Sequence, residues 1–284
     1  MIVVTGASGQ LGRLVIEGLL ERVPAERIVA AVRSPEKVAE LADRGVQVRR
    51  ADYDEPDTLP AALAGAERLL LISGDTPGQR LAQHRAVIDA AVTAGVGAIV
   101  YTSVLHADTS PLIVAPDHKA TEDSIVAAGL PYTFLRNGWY TENYEQAART
   151  AAETGVVIGS AGDGRVASAT RADYAAAAVA VLTTDGHAGR IYELSGDKAW
   201  SYTELAAEIG RIAAREVGYR NLTPDEHRAA LIDAGLPEAA ADVYVSFDRD
   251  IAAGALGDTP GQLSSLIGRP TTPLAETLAA VLRT

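Results

Sequence analysis

Three glycines near the start of the chain are spaced in a way that suits phosphate binding. They stand at positions 6, 9 and 12, directly after the apolar run of residues 2–4. The first glycine permits a tight turn, the second lets the backbone approach a diphosphate, and the third allows a helix to pack closely on a strand. Because free N–H groups at a helix start attract anions, the motif predicts a dinucleotide site that includes Gly6, Ala7, Ser8, Gly9, Gln10 and Leu11. A turn that binds nothing is the alternative.

An arginine stands where the nucleotide preference of such a site is set. Sites selective for NADH carry an acidic residue at the end of the second strand, about 20 residues past the glycine motif. Here that position is occupied by Arg33, whose guanidinium can hold a 2′-phosphate through two charge-assisted hydrogen bonds. Lys37, one helical turn further, would add a second positive charge. The position therefore predicts NADPH rather than NADH, unless Arg33 is an ordinary surface residue.

Polar and glycine residues follow several of the predicted strands. Ligands of parallel sheets bind beyond the carboxyl ends of the strands. We therefore expect further contacts from Asp52, Ser73, Gly74, Thr102, Ser103 and, after the sixth strand, Asn137, Gly138, Trp139, Tyr140, Thr141 and Asn143. Trp139, Tyr140 and Tyr144 form an aromatic cluster in this last segment. The cluster either belongs to the core or offers a flat surface to a ring-shaped substrate.

The elements that must position these residues alternate between strand and helix. Apolar runs at 1–4, 28–32, 46–48, 69–72, 98–102 and 132–135 are separated by helical patterns. This alternation predicts an α/β fold, a doubly wound parallel sheet of the Rossmann type. After residue 137, glycines between two short apolar runs indicate a hairpin, and mostly helical segments follow. We expect an NADP-binding domain of residues 1–137 with roughly 165–190, and a smaller, mostly helical C-terminal lid or substrate domain of 138–164 with roughly 191–284.

Several common chemistries are excluded by the sequence. Short-chain dehydrogenases use a Tyr-x-x-x-Lys pair for proton transfer. None of the three lysines has a tyrosine four positions before it, since those positions hold Arg33, Ala115 and Leu194. There is no His-Glu-x-x-His, Gly-Lys-Ser/Thr or Gly-x-Ser-x-Gly motif. The chain has no cysteine, which excludes thiol catalysis and thiolate metal sites, and we expect no metal.

The charge and hydropathy of the chain limit its partners. The net charge of −12 argues against a nucleic-acid-binding surface, which needs clustered lysine and arginine to displace counterions. No apolar run approaches the roughly 20 residues that span a bilayer, and no basic region of a signal peptide is visible. We expect a cytoplasmic protein without a nucleic-acid or membrane partner, either a monomer or a homodimer.

Together the motifs resemble the NmrA-like family of atypical short-chain dehydrogenases. Within that family the chain is most similar to the flavin-free NAD(P)H:quinone reductases of type 2, and next to the triphenylmethane reductases. The most specific match is the segment 136–144, and the other matches are residues 2–12, 52–54, 69–73, 118–122, 131–137 and 268–274. The resemblance covers nearly the whole chain.

The resemblance implies an oxidoreductase in which NADPH passes a hydride directly to a quinone, a small aromatic acceptor. It also implies that NADPH is held by residues 6–11, Arg33, the end of the fourth strand and the loop 137–143. Related reductases carry a lysine at the position of His118 and a tyrosine at that of Val114. This departure puts a lysine-based proton relay in doubt and leaves His118 as the candidate acid. Solvent is the alternative proton source, because a quinone needs little acid catalysis.

Two other functions fit the same motifs. Some NmrA-like proteins resemble sensors that bind NADP(H) without catalysis and dock a partner. Reduction of triphenylmethane or azo dyes differs from quinone reduction only in the shape of pocket that it needs. For His118, a hydrogen bond that supports the helix start or the cofactor ribose is the alternative to an acid role.

Overall fold

The computed structural model describes residues 1–74, 76 and 78–283. The strands among them are β1 (Ile2–Thr5), β2 (Ile28–Val32), β3 (Gln47–Arg50), β4 (Arg68–Leu71), β5 (Ile99–Val104), β6 (Tyr132–Asn137), β7 (Val156–Gly159), β8 (Arg165–Val166), β9 (Arg190–Leu194), β10 (Trp200–Ser201) and β11 (Gly218–Asn221). The α-helices are α1 (Gln10–Leu20), α2 (Ala39–Asp43), α3 (Leu59–Leu63), α4 (Arg80–Thr93), α5 (Ala115–Ala127), α6 (Glu145–Thr154), α7 (Arg171–Thr183), α8 (Tyr202–Ala213), α9 (Pro224–Asp233), α10 (Glu238–Ala252), α11 (Gln262–Ile267) and α12 (Leu274–Leu282).

Seven strands form one parallel sheet in the order β3-β2-β1-β4-β5-β6-β9. All neighbouring strands run in the same direction, so their carboxyl ends meet at one edge. The strand order reverses between β1 and β4, and ligands of such sheets bind in the crevice at the reversal. The expected doubly wound α/β fold is confirmed.

Apolar side chains cover both faces of this sheet. Val4 and Leu70 pack with α1 and α7 on one face, whereas Val3 and Leu69 pack with α3 and α4 on the other. Strands buried on both faces read as continuous apolar runs rather than alternating ones. This burial explains why the continuous apolar run of residues 69–72 could be recognised in the sequence as a strand.

Helices α1 and α7 lie side by side on the first face. Gly18 permits their close approach, because a Cβ atom there would lie 2.9 Å from Cγ2 of Val179. Helix α7 begins with a capping box, in which the Asp173 N–H donates to Oγ1 of Thr170 at 3.1 Å. Gln10 and Arg171, the first residues of the two helices, line the same cleft. The two helix starts are therefore directed to one place.

Residues beyond β6 build a smaller, mostly helical region around an apolar core that also includes Val104 and Leu112 from before β6. Tyr144, Val157, Trp200, Leu205 and Ile251 are buried in this core. Two small sheets belong to the region: β7 pairs in parallel with β11, and β8 pairs antiparallel with β10. The region overlaps the segments for which the sequence predicts a lid or substrate domain, and that role stays a prediction.

The hairpin expected around residues 155–164 does not form, because β7 and β8 pair with distant strands rather than with each other. The glycines serve close packing instead. A Cβ atom at Gly159 would lie 2.7 Å from the Tyr202 ring, and one at Gly164 would lie 2.5 Å from the carbonyl oxygen of Ile251. The local glycine pattern could not reveal these partners, which lie about 40 and 90 residues further along the chain.

Two element positions also differ from the sequence prediction. Residues 191–194 were expected in the lid, but β9 is the edge strand of the large sheet and pairs with β6. Helix α5 starts at Ala115, six residues before the start expected at Thr121, because Pro116 is accommodated in its first turn. A proline lacks an N–H that the first turn does not use, so His118 lies within the helix.

None of the helices in the described part of the chain has the length and hydropathy needed to cross a bilayer. Among the same residues, no group of three or more His, Cys, Asp or Glu side chains is placed to hold a metal ion.

Candidate functional site

A cleft of about 720 Å³ opens at the carboxyl edge of the sheet, where the strand order reverses. It brings together most of the residues nominated from the sequence. Those that line it are Gly6, Ser8, Gly9, Gln10, Leu11, Arg33, Asp52, Ser73, Gly74, Thr102, Ser103, His118, Asn137, Gly138, Trp139, Tyr140 and Asn143.

Four nominated residues lie outside the lining of the cleft. Ala7 is fully buried in the core beneath α1, and Tyr144 is buried in the core of the lid. The Thr141 hydroxyl is turned away and lies 2.9 Å from Oγ of Ser168. Lys37 is exposed on the surface, and its carbonyl oxygen accepts a hydrogen bond from Arg13 at 2.7 Å. These residues were nominated from their place after a strand or in a motif, and that place does not determine which way a side chain points.

The glycine loop forms the wall of the cleft beneath the start of α1. Gly6 has a positive φ of 60°, and its carbonyl oxygen accepts a hydrogen bond from Gly9 N–H at 2.9 Å. A Cβ atom at Gly12 would lie 2.3 Å from the same oxygen. Gly9 is the N-cap of α1 and supplies no side-chain cap, and the first turn contains no acidic residue. The first-turn amides and the positive end of the helix dipole are therefore available to an anion.

Arg33 follows β2 directly, lines the cleft and is exposed. Its position is the one from which an acidic residue would repel a 2′-phosphate. The exposed guanidinium can reorient toward a bound phosphate. The arrangement fits the predicted preference for NADPH.

His84 supports the end of β4 from beneath the cleft. Its Nε2 accepts a hydrogen bond from Gly74 N–H at 3.0 Å, and its Nδ1 lies 3.0 Å from Oγ1 of Thr121. Because the Thr121 hydroxyl donates to the carbonyl oxygen of Asp117 at 2.8 Å, it accepts from Nδ1, and the imidazole is neutral. Burial, with a smaller contribution from the charge of Arg80, lowers the pKa of His84 to about 4. This buried histidine therefore fixes Gly74 without carrying a charge.

His118 lines the cleft from α5 and is almost completely buried. Its Nδ1 lies 2.8 Å from the hydroxyl oxygen of Tyr101, which is fully buried in β5. Burial, followed by the charge of Arg80 and the neighbouring His84, which would repel a second protonated imidazole, lowers the pKa of His118 to about 3. Burial also raises the pKa of Tyr101. Both groups are neutral at pH 7, and a neutral imidazole is a hydrogen-bonding group rather than a strong acid.

A buried ion network supports the ends of β5 and β6. Arg136 donates from Nη2 to Glu122 at 2.8 Å and from Nη1 to Glu193 at 2.8 Å. Hydrogen bonds to these two carboxylates raise the pKa of Arg136 despite its burial. The Ser103 hydroxyl donates to the same Glu122 carboxylate at 2.6 Å. Ser103 lines the cleft, but its hydroxyl proton is already bound within the protein.

Aromatic side chains form the wall of the cleft beyond β6. The Trp139 ring packs edge-on against Phe247 with 4.8 Å between ring centroids, and Tyr140 packs similarly against Tyr174 at 5.3 Å. Among the described residues, Asn137 Oδ1 and Trp139 Nε1 are buried without a hydrogen-bond partner. Asn137 neighbours the Tyr140 hydroxyl and Trp139 neighbours the Tyr144 hydroxyl, so each of these atoms lies beside another polar group of the protein.

Sequence reasoning did not find Arg171 or Tyr101 as site residues. Tyr101 is in the middle of an apolar strand, where it reads as an ordinary core residue. Arg171 follows the helix-capping Thr170 in a segment far from the other site residues. The only signal for Arg171 was its place at a helix start, which is too common to indicate a site.

Comparison with known proteins places this geometry among related sites. The sequence matches the NAD(P)H-binding family over residues 6–185. Quinone oxidoreductase 2 of Escherichia coli is 53% identical over 279 residues, which cover 98% of each chain. The crystal structure of an NADPH-dependent quinone oxidoreductase from Escherichia coli complexed with NADPH has a TM-score of 0.96 and 53% identity, with 99% of both chains covered. The triphenylmethane reductase of Citrobacter sp. complexed with NADP(H) has a TM-score of 0.96 and 40% identity, over 99% of this chain and all of that chain. These similarities confirm the resemblance seen in the sequence.

Proposed function

The chain belongs to the NAD(P)H-binding family, and from this premise we propose that it is an NADPH-dependent quinone reductase that works without a flavin. The observation that carries the proposal is the cleft itself. It has a glycine loop and an exposed arginine at one end and tryptophan and tyrosine side chains at the other. The relatives described above as quinone oxidoreductases, one of them complexed with NADPH, support the same function.

The nucleotide end of the cleft binds the cofactor through backbone amides and charge. The first turn of α1 receives the diphosphate, because its amides point at the cleft and no side chain caps them. Arg33 receives the 2′-phosphate through charge-assisted hydrogen bonds. When bound, NADPH supplies a hydride ion, which the quinone accepts directly.

The acceptor end of the cleft holds a flat ring against the nicotinamide. Trp139 and Tyr140 provide the aromatic surface, and holding both reactants in one orientation supplies most of the rate acceleration. His118 is neutral, so we assign to it a hydrogen bond to an oxygen atom of the bound ligands. The proton that completes the reduction comes from solvent.

The two parts of the fold divide this work between them. We assign cofactor binding to residues 1–137 with roughly 165–190, which form most of the large sheet and α7. Acceptor binding is assigned to 138–164 and to the segments after β9. Most residues of the apolar core of the lid come from these later segments, which supports this division, although Val104 and Leu112 also belong to that core.

The proposal is tested by mixing the purified chain with NADPH and a simple benzoquinone and following the absorbance of the reduced nicotinamide. We expect turnover that depends on both reactants, and no flavin released when the protein is denatured. The variant His118→Ala should keep most of its turnover and an unchanged pH profile. His187→Ala, outside the cleft, is the matched control.

Three results would contradict the proposal. Tight NADPH binding without turnover of any of several quinones would identify a non-catalytic NADP(H) sensor. Turnover of a triphenylmethane dye but of no quinone would identify a dye reductase. If the wild-type rate falls as the pH rises and this fall is lost in His118→Ala, His118 donates the proton.

A further inference from the structure

Arg171, the first residue of α7, contributes a second cation to the cleft. Of the described residues that line the cleft, Arg33 and Arg171 are the two with cationic side chains. Arg33 is exposed, whereas the side chain of Arg171 is only 19% exposed. A cation that is mostly removed from water needs hydrogen-bond acceptors nearby, because its desolvation is costly.

The contacts of Arg171 within the protein are few and weak. Its guanidinium lies over the Tyr140 ring, with Cζ 4.7 Å from the ring centroid. Its Nη2 donates to Oδ1 of Asn143 at 3.3 Å, and its Nη1 lies 3.8 Å from Oε2 of Glu142. That carboxylate oxygen is buried and has no hydrogen-bond partner among the described residues. The ring and the distant carboxylate hold the guanidinium in place but leave most of its donors unused.

Arg136 shows what a satisfied arginine looks like in the same protein. Its Nε and Nη2 both donate to the Glu122 carboxylate, at 2.9 and 2.8 Å, and its Nη1 donates to Glu193 at 2.8 Å. Every nitrogen of this guanidinium is engaged by a carboxylate. The donors of Arg171 have no comparable partners, although both side chains are largely buried. The unpaired donors of Arg171 are therefore open to the cleft, where a bound ligand can supply their acceptors.

The position of Arg171 identifies the group that it would bind. Arg33 follows β2 on one side of β1, whereas Arg171 contacts the loop after β6 on the other side. The starts of α1 and α7 both reach the cleft through Gln10 and Arg171. We propose that Arg171, on the β6 side of the cleft, binds the diphosphate of the dinucleotide at the phosphate nearer the nicotinamide, together with the first-turn amides of α1. This inference rests on the proposed cofactor and adds a side chain to its binding site.

The test compares ligands that differ in their phosphates. Dissociation constants are measured by calorimetry for NADP⁺, NAD⁺ and adenosine 2′,5′-bisphosphate, which lacks the second phosphate of the diphosphate. Arg171→Met should weaken NADP⁺ and NAD⁺ by the same factor, roughly 10- to 100-fold, as expected for hydrogen bonds to a charged group. Adenosine 2′,5′-bisphosphate should bind to Arg171→Met almost as tightly as it binds to the wild type. Arg171→Lys, which keeps the charge, should recover part of the affinity.

Each other outcome would overturn the inference. Unchanged NADP⁺ binding in Arg171→Met would show that the cation has no ligand role. Weaker binding of NADP⁺ with unchanged binding of NAD⁺ would assign Arg171 to the 2′-phosphate. An equal loss of affinity for all three ligands, with no recovery in Arg171→Lys, would show that Arg171 only supports the wall of the cleft formed by residues 140–143. If the wild type binds none of these ligands, the proposed function itself fails, so the two failures are distinguishable.

Discussion

The nucleotide end and the acceptor end of the cleft are built from different kinds of interaction. At the nucleotide end, consecutive residues 6–12 present backbone amides, and an exposed Arg33 supplies charge. At the acceptor end, His118 and Tyr101 come from separate elements and are buried and neutral. The first end depends on local backbone geometry, whereas the second depends on how α5, β5 and the lid pack. Changes to the protein should therefore affect the two ends in different ways.

The largest effect is expected from a side chain at Gly12. The substitution Gly12→Val places atoms within 2.3 Å of the Gly6 carbonyl oxygen, a backbone atom that cannot rotate away. We expect a loss of about 3 kcal/mol or more in stability and no NADPH binding at concentrations that saturate the wild type. Thermal unfolding and calorimetry measure the two effects.

Gly218→Ala is the matched control for this change, because no atom lies within 4 Å of a Cβ at that position. It should leave both quantities unchanged. Normal cofactor binding by Gly12→Val would show that the nucleotide end does not depend on backbone contact, and the contrast between the two ends would fail.

A smaller and more selective effect is expected from Arg33→Glu. Charge-assisted hydrogen bonds to the 2′-phosphate are lost and replaced by repulsion, so NADPH affinity should fall about 100-fold, equivalent to about 2.8 kcal/mol. NADH affinity should change little. Fluorescence titration with both cofactors measures the ratio of the two affinities. Arg22→Glu, at an exposed position in the turn just after α1, serves as control. Equal loss for both cofactors would refute the assignment of Arg33.

The smallest effect concerns two buried neutral histidines, His118 at the acceptor end and His84 beneath the cleft. The folded-state pKa values of His84 and His118 are lowered to about 4 and about 3, so the unfolded chain binds protons below pH 6.5 that the folded chain does not. Stability is therefore complete above that pH and is lost as the pH falls. Between pH 7 and pH 5 we expect a loss of about 2 kcal/mol for each histidine.

Urea unfolding at the two pH values checks this expectation. In His118→Asn, the decrease in the free energy of unfolding between pH 7 and pH 5 should be smaller by about 2 kcal/mol than in the wild type. His187→Asn, at a partly exposed position, should change it much less. If His118→Asn loses as much stability as the wild type, His118 is not a buried neutral group, and the two ends of the cleft are more alike than the structure indicates.

The same contrast explains what the sequence could predict. The strands of the large sheet before residue 137 and the glycine loop were predictable, because apolar runs and glycine spacing are local signals. The position of Arg33 at the cleft was predictable, because only α1 and β2 separate it from the glycine motif. The change in pattern after β6 predicted the mostly helical segments that follow, whereas their role as a lid stays a prediction.

The remainder depends on residues that meet only in the folded chain. The partners of β7 and β8, and the place of β9 in the large sheet, depend on pairing across long stretches of sequence. Tyr101 reads as a core tyrosine until α5 brings His118 within 2.8 Å of it. Arg171 reads as a surface residue of a helix until α7 packs beside α1. A local sequence pattern contains no information on these long-range contacts.

The uncapped start of α1 has a consequence for binding at high ionic strength. Backbone amides in direct contact with a diphosphate are short-range dipoles, which dissolved ions screen poorly. The exposed guanidinium of Arg33 acts through a net charge, and the screening length shrinks from about 10 Å at 0.1 M salt to about 3 Å at 1 M. Concentrated salt should therefore erode the discrimination between the two nicotinamide cofactors before it releases the nucleotide itself.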